Sequence, residues 1–192
     1  KKVLLVCDNR SSTGMAFLRS VGAVYSFSEY EMRMQEKTAS IGSGYEMRKE
    51  ESNALAGKHN ISLRKASDSD ADNIATINYI CFGVTGYIGY TLEEEAERNR
   101  ITYMIEWESK VIGKIRTEIF GNEGFISGFA IYPEYSGKGY GRQALLAAIS
   151  ILNKKGIHNI ALEVNAQNKN ALRLYKSCGF VEESVTDYFE AR

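Results

Sequence analysis

The stretch PEYSGKGYGRQALLAAI, residues 133 to 149, places glycines at 137, 139 and 141, with Lys138 among them and Arg142 directly after. A glycine-rich turn that leads from a strand into a helix gathers main-chain N–H groups with no helical acceptor around one point, and that point attracts anions. Glycine also lets the backbone approach an oxygen-rich ligand and take up positive φ. The chemistry implied is capture of a phosphate or diphosphate. The triphosphate loop needs Gly, four residues, then Gly-Lys-Ser/Thr, and the dinucleotide loop needs G-x-G-x-x-G; this loop reads G-x-G-x-G and fits neither. Further along, LEVNAQNKNALRLYKSCGF (162 to 180) carries Glu163, Asn168 and Tyr175: a carboxylate, a helix cap and a phenol.

The elements that must hold these groups follow from periodicity. ISLRKAS (61 to 67) alternates as a strand, and the next segment is a helix capped at Ser67 or Asp68 with Ile74, Ile77 and Cys81 on one face. TLEEEAERNR reads as an acidic, solvated helix. Strands are expected at 101 to 109, 111 to 120 and 124 to 132, the first two joined by a hairpin turned at Ser109 and Lys110. The glycine loop then opens a helix from Gly139 to Lys154, with Leu145, Ala148, Ile149 and Leu152 along its apolar face and Gly156 as a stop. A strand (157 to 164), a short helix from Asn168 to Gly179 and a final strand or strand pair complete the chain. The order β-α-α-β-β-β-α-β-α-β predicts an α/β mixed sheet with helices on both faces.

FAIYPEYSGKGYGRQALL resembles the acyl-coenzyme A loop of the GCN5-related N-acetyltransferases, whose pattern is Gln/Arg-x-x-Gly-x-Gly/Ala at the end of the fourth strand. LEVNAQNKNALRLYKSCGF resembles that family's second signature. The resemblance runs from about residue 60 to 191. It implies the acyl-CoA N-acyltransferase fold, a splayed mixed sheet, with acetyl-CoA as co-substrate and no metal. Phe129, Ala130 and Ile131 would pair with pantetheine as an added strand does. Gly137, Lys138, Gly139, Tyr140, Gly141 and Arg142 would take the diphosphate, and Asn168 would cap its helix and touch pantetheine. Ser136 stands at the Gln/Arg position, so the grip falls to the backbone, with Lys138 or Arg142 available to compensate.

The resemblance further implies direct transfer to a primary amine of a small molecule or peptide. Tyr175 matches the tyrosine beside the departing sulfur; a phenol near pKa 10 giving its proton to a thiolate near 8.5 goes uphill by roughly 2 kcal/mol, so its first role is hydrogen-bond donor. Glu163 is a candidate base. Glu123 or Glu118 acting through water is an alternative, as is no dedicated base at all. The strand position that holds a glutamate base in some relatives corresponds here to Phe125. Tyr87 and Tyr90 are candidates for the acceptor groove, with Glu93 to Glu95 and Glu97 attracting a cationic amine. The rival reading is a non-catalytic acyl-CoA sensor or interaction module.

Twenty-four basic residues balance 24 acidic ones, which argues against nucleic acid or an anionic membrane as partner. Cys7, Cys81 and Cys178 are scattered and no histidine stands near them at metal-ligand spacing, which points to a reducing, cytoplasmic setting without structural zinc. Asp68, Asp70 and Asp72 imitate a calcium loop, but Asn73 and Tyr79 occupy its glycine and glutamate positions. The apolar start spans only Val3 to Cys7, short for a signal peptide, and the chain opens on Lys1 rather than methionine, which leaves the natural start open.

Residues 1 to 35 repeat the plan of the C-terminus. A shift of 157 positions sets LLVCDNRSSTGMAFLRSVGAVYSFSEY beneath LEVNAQNKNALRLYKSCGFVEESVTDY, with Leu5/Leu162, Ser20/Ser177 and Gly22/Gly179 identical. The expected organisation is therefore a partial, degenerate copy of the C-terminal motif (1–35), a linker (36–59) that carries a helix from Tyr45 to Ala56, and an acetyltransferase domain (60–192). A homodimer is a further option, because the N-terminal piece would expose a sheet edge.

Overall fold

The computed structural model describes residues 3–35, 61–84 and 97–191. The expected linker and its helix, most of the acidic helix, and Tyr87 and Tyr90 lie outside the described residues. In chain order the elements are β1 (Leu4–Asp8), α1 (Ser12–Ser20), β2 (Val24–Met34), β3 (Ile61–Lys65), α2 (Ala71–Phe82), β4 (Arg100–Trp107), β5 (Lys110–Phe120), β6 (Glu123–Ile131), α3 (Tyr140–Lys154), β7 (Asn159–Asn165), α4 (Lys169–Ser177) and β8 (Phe180–Glu190). They fall into two compact units, Glu36–Ile160 and the pairing of Lys1–Gln35 with Ala161–Arg192.

Within Glu36–Ile160 the strands run antiparallel in the order β6-β5-β4-β3. The β4–β5 hairpin turns one residue earlier than expected, at Glu108 and Ser109, because Lys110 closes the ladder opposite Trp107. Both turn residues hold positive φ, 48° and 62°, the geometry that matches the twist of a two-residue hairpin. Ahead of α2, Asp70 closes a capping box with Ser67, whose main-chain N–H donates to its carboxylate at 2.8 Å. Arg64 grips the same carboxylate through two nitrogens at 2.9 Å each, so this acid serves the helix start. Ile74 and Ile77 then bury against Ala66, Met104 and Ala130, with Cys81 beside them, as the spacing predicts. Helix α3 buries Leu145, Ala148, Ile149 and Leu152 on its expected face, together with Tyr140 and Ala144.

In the other unit the antiparallel order is β1-β8-β2-β7. Strand β2 separates β7 from β8 and pairs with both. The 157-position offset of the sequence reappears in the ladders. Leu5 faces Phe189 and Met32 faces Leu162; Val6 faces Tyr188 and Glu31 faces Glu163; Cys7 faces Asp187 and Tyr30 faces Val164. Each second pair is the first with 157 added to one partner and subtracted from the other. The β2–β8 ladder maps onto itself about the Glu29–Thr186 pair, and its register breaks beside Tyr25/Phe27 and Glu31/Met32 are equivalent under the same operation.

The correspondence extends to the helices. Ser11 caps α1 by accepting from Gly14 N–H at 3.1 Å, and Asn168 caps α4 by accepting from Ala171 N–H at 3.0 Å. Gly22 and Gly179 end them at φ 65° and 95°. Buried positions correspond as well, Leu18 with Tyr175, Cys7 with Val164 and Phe189 with Met32.

Candidate functional site

The glycine loop begins where β6 ends. Pro133–Tyr135 form one 3-10 turn, which fixes the exit from the strand, and Ser136 N–H closes it on the Pro133 carbonyl at 3.1 Å. Gly137 and Gly139 take φ of 75° and 88°, and a Cβ built on either would meet nothing within 4 Å. Glycine is required there for backbone conformation, not for space. The first helical bond runs from Gln143 N–H to the Gly139 carbonyl at 3.2 Å, so the turn before it directs its amides at the loop. The electropositive end of α3 adds to that field.

Side chains divide the loop's labour. Tyr140 is 2% exposed and packs against Trp107 and Tyr135, with ring centroids 5.4 and 6.2 Å away. Its side chain is the anchor of the helix start, and what it offers a ligand is its main chain. Lys138 is exposed, with its ammonium 5.7 Å from the Tyr135 ring centre, and Arg142 lies half-buried in the first turn of α3. The loop thus joins a rigid aromatic base to a polar rim of glycines and cations.

Strand β6 carries the three residues expected to face pantetheine. Ala130 and Ile131 pair with Lys114 and Gly113 of β5, and between Ser127 and Ala130 the strand holds one residue more than its partner. That is a β-bulge, and it re-aims the strand at Gly128 and Phe129. Two residues of β5 support it. A Cβ on Gly113 would lie 2.2 Å from the Ala130 carbonyl oxygen, so only glycine permits this approach of the strands. The Lys114 ammonium, 3% exposed, donates to the Gly128 carbonyl at 3.2 Å. Cys81 donates weakly to the Ile131 carbonyl at 3.7 Å, and its thiol is raised by burial. Lysine in the middle of the apolar run VIGKIRTEIF was the sequence signal for this support, and periodicity alone overlooks it.

Glu163 lies on β7, Asn168 at the cap of α4 and Tyr175 within α4. Asn168 performs the capping role expected of it. Tyr175 is 8% exposed, with its ring 6.2 Å from that of Phe180 in edge-on contact. Burial pushes its phenol up to about 12. Glu163 is exposed on β7, yet its carboxyl is raised, first by partial desolvation and then by Glu29 and Glu31 of β2. Tyr188 joins this group: its hydroxyl bonds Glu29, and burial and that bond push it up to about 12, while its ring stacks on Phe27 at 4.4 Å. Sequence reading missed Glu29, Glu31 and Tyr188, since nothing local to β2 shows that it inserts beside β7. The 157-residue offset was the available signal, but it aligns β2 with β8 and not with β7.

The alternative bases are placed differently. Glu118 is buried, its carboxylate held by Arg100 at 2.6 Å and by the Ser127 hydroxyl at 2.7 Å. An acid so engaged is committed to structure. Glu123 lies at the start of β6, opposite Phe120. No group of three or more His, Cys, Asp or Glu side chains suited to a metal ion occurs among the described residues, nor does a helix long and apolar enough to cross a membrane.

The profile of the Acetyltransferase (GNAT) family matches residues 71–180. A ribosomal-protein alanine N-acetyltransferase of Escherichia coli is 31% identical over 85 residues, which cover 44% of this chain and 57% of that protein. Spermidine N(1)-acetyltransferase of Vibrio cholerae is 43% identical over 65 residues, 31% of this chain and 36% of that protein. The chain thus spans little more than half, or less, of the curated relatives it matches. Among solved structures, a GCN5-related N-acetyltransferase of Sphaerobacter thermophilus superimposes with a TM-score of 0.72 at 14% identity, over 100% of this chain and 61% of that one. The PaiA N-acetyltransferase of Thermoplasma acidophilum, in complex with coenzyme A, superimposes with a TM-score of 0.55 at 22% identity, over 68% of this chain and 99% of that one. The fold is that of the acyl-CoA N-acyltransferases, and with more than half of its length matched by the profile the chain belongs to the GNAT acetyltransferase family.

Proposed function

We propose that the chain moves an acetyl group from acetyl-CoA directly to a primary amine of a small molecule or peptide. The observation that carries this reading is the loop at the start of α3, where Gly137 and Gly139 hold conformations only glycine adopts easily and leave open space beside the backbone. That cradle fits a diphosphate, bound by the amides from Gly137 to Arg142 with Lys138 and Arg142 at the rim. The edge of β6 at Phe129, Ala130 and Ile131 would hold the pantetheine amides, and Asn168 would contribute beside its cap. The bound co-substrate supplies an acetyl group activated as a thioester.

The remaining work falls to the chain's own groups. An amine attacks only when neutral, and we assign Glu163 as the carboxylate that accepts its proton. Its raised pKa makes it a stronger base than an ordinary glutamate. Glu29 beside it adds a negative field that draws a cationic amine, while Glu31 is paired with Arg33 at 2.8 Å. Tyr87, Tyr90 and the acidic segment after them are proposed for the rest of the acceptor groove. Tyr175, with its phenol near 12, stays protonated, and full transfer to a thiolate near 8.5 would cost about 5 kcal/mol. It therefore acts as a neutral hydrogen-bond donor to the departing sulfur. We also read residues 1–35 as a partial second copy of the β-α-β motif at 159–190, in which Leu18 stands where Tyr175 does and so has no phenol to offer.

The test is a panel of polyamines, amino acids and peptides of varied first residue, incubated with acetyl-CoA and followed by mass spectrometry and thiol release. Acetylated product in step with free thiol is expected. Coenzyme binding by calorimetry with no product from any amine would favour the non-catalytic sensor instead.

A further inference from the structure

We propose that Tyr188 is a positioning residue for acetyl transfer: its hydroxyl pins the Glu29 carboxylate beside Glu163, so that strand β2 supplies the charge under which a group on β7 works. The role rests on Glu163 being the proton acceptor.

The register brings the three residues to one face. Residues directly opposite across a ladder point to the same side of the sheet, and every second residue along a strand returns to it. Glu31 faces Glu163 of β7 and Ser184 of β8; two residues earlier Glu29 faces Asn165 and Thr186; two earlier again Phe27 faces Tyr188. From Phe27 to Glu31 the pairing with β8 runs without a break. Glu29 is therefore the diagonal neighbour of Glu163 on one side and of Tyr188 on the other. Nothing else is needed to place its carboxylate between them.

Tyr188 is itself held. Its ring stacks on that of Phe27 with centroids 4.4 Å apart and planes 10° from parallel, and its hydroxyl bonds Glu29. Burial first, and then that bond, push the phenol up to about 12, so it remains a donor across the working range.

The two glutamates of β2 are held in contrasting ways. Glu31 accepts from the Arg33 guanidinium at 2.8 Å and from the Ser184 hydroxyl at 3.0 Å, and Arg33 also binds Glu183. A cation thus offsets the charge directly opposite Glu163. Glu29 is held by a neutral hydroxyl, which fixes a carboxylate without cancelling its charge. After desolvation, Glu29 is accordingly the larger of the two influences that raise the Glu163 carboxyl, ahead of Glu31. Removing the hydroxyl frees Glu29 to turn into water, where its effect on Glu163 is screened.

The test follows the Glu163 side-chain carboxyl by carbon NMR through a pH titration of the full chain, with Glu163→Gln to assign the signal. Tyr188→Phe keeps the ring stack and Glu29→Gln keeps the shape of the side chain. Each should lower the Glu163 midpoint by about half a pH unit. The double variant should go no lower than Glu29→Gln alone, since the hydroxyl acts only through that carboxylate. The acid limb of kcat/KM for the amine should move down in step, with acetyl-CoA affinity unchanged. A Glu163 midpoint that stays put in Tyr188→Phe, whatever happens to the melting temperature, reduces Tyr188 to a packing residue and overturns the proposal. Should that variant not fold, an unmoved midpoint in Glu29→Gln overturns it equally. Full activity in Glu163→Gln is a separate failure: it removes the proton-acceptor reading and the catalytic role of Tyr188 with it, even where the midpoints shift.

Discussion

Glu163 of β7 stands directly opposite Glu31 of β2, with Glu29 two residues away on the same face. Like charges placed this way across a ladder are unfavourable by some tenths of a kcal/mol up to about 1. Glu163→Gln should therefore raise the melting temperature by roughly 1 to 4 °C while lowering kcat by about a hundredfold or more if this group takes the amine's proton. The raised carboxyl binds protons more readily folded than unfolded, so its penalty is complete above the raised value and disappears as pH falls below the ordinary glutamate value. Calorimetric melting of both proteins at neutral and acidic pH checks the sign, and a Gln variant that is less stable at neutral pH contradicts it.

Tyr175→Phe should lower kcat by roughly 10- to 100-fold, the worth of one hydrogen bond to a developing charge. Coenzyme affinity should hold. Because the phenol is pushed up to about 12, the wild-type rate should show no alkaline limb from this group through pH 10. A limb near pH 9 that the Phe variant lacks would reinstate Tyr175 as a full acid.

Asp70 is held by Arg64 and by Ser67 at the entry to α2, and the guanidinium keeps its carboxyl well below the usual range. Asp70→Asn should destabilise the fold by about 2 kcal/mol, less than for a fully buried pair because Arg64 is partly solvated. A depressed pKa contributes stability above the unfolded value and loses it as pH falls toward the folded one. The difference between wild type and variant in denaturant midpoint should thus shrink below the ordinary aspartate pKa.

Ser11→Ala and Asn168→Ala remove equivalent caps and should each cost about 1 kcal/mol in urea unfolding. Similar losses are expected if the two β-α-β segments do equivalent structural work. A silent Ser11→Ala would argue that the first segment is held by other means.

Much of the fold could be read in the chain because its signals are local. The apolar face of α3, the Asn168 cap and the glycine stops at 156 and 179 each depend on residues within a turn or two, and all were legible. The hairpin at Glu108 and Ser109 was misplaced by one residue, since neither is glycine or asparagine and the turn is set by the pairing of Trp107 with Lys110. The carboxylates around Glu163 were invisible for another reason. They arrive on a strand more than 130 residues away in sequence, and long-range pairing leaves no trace in the composition of either partner.

Gly137 and Gly139 turn a left-handed backbone into open solvent, which has a stereochemical corollary. An L-alanine at either site would be strained by its own chirality, whereas the mirror-image residue prefers that region of φ. Chemical synthesis or ligation that installs D-alanine at position 139 should keep the loop's shape and its hold on the coenzyme. Handedness, more than size, is the constraint under which this turn exists.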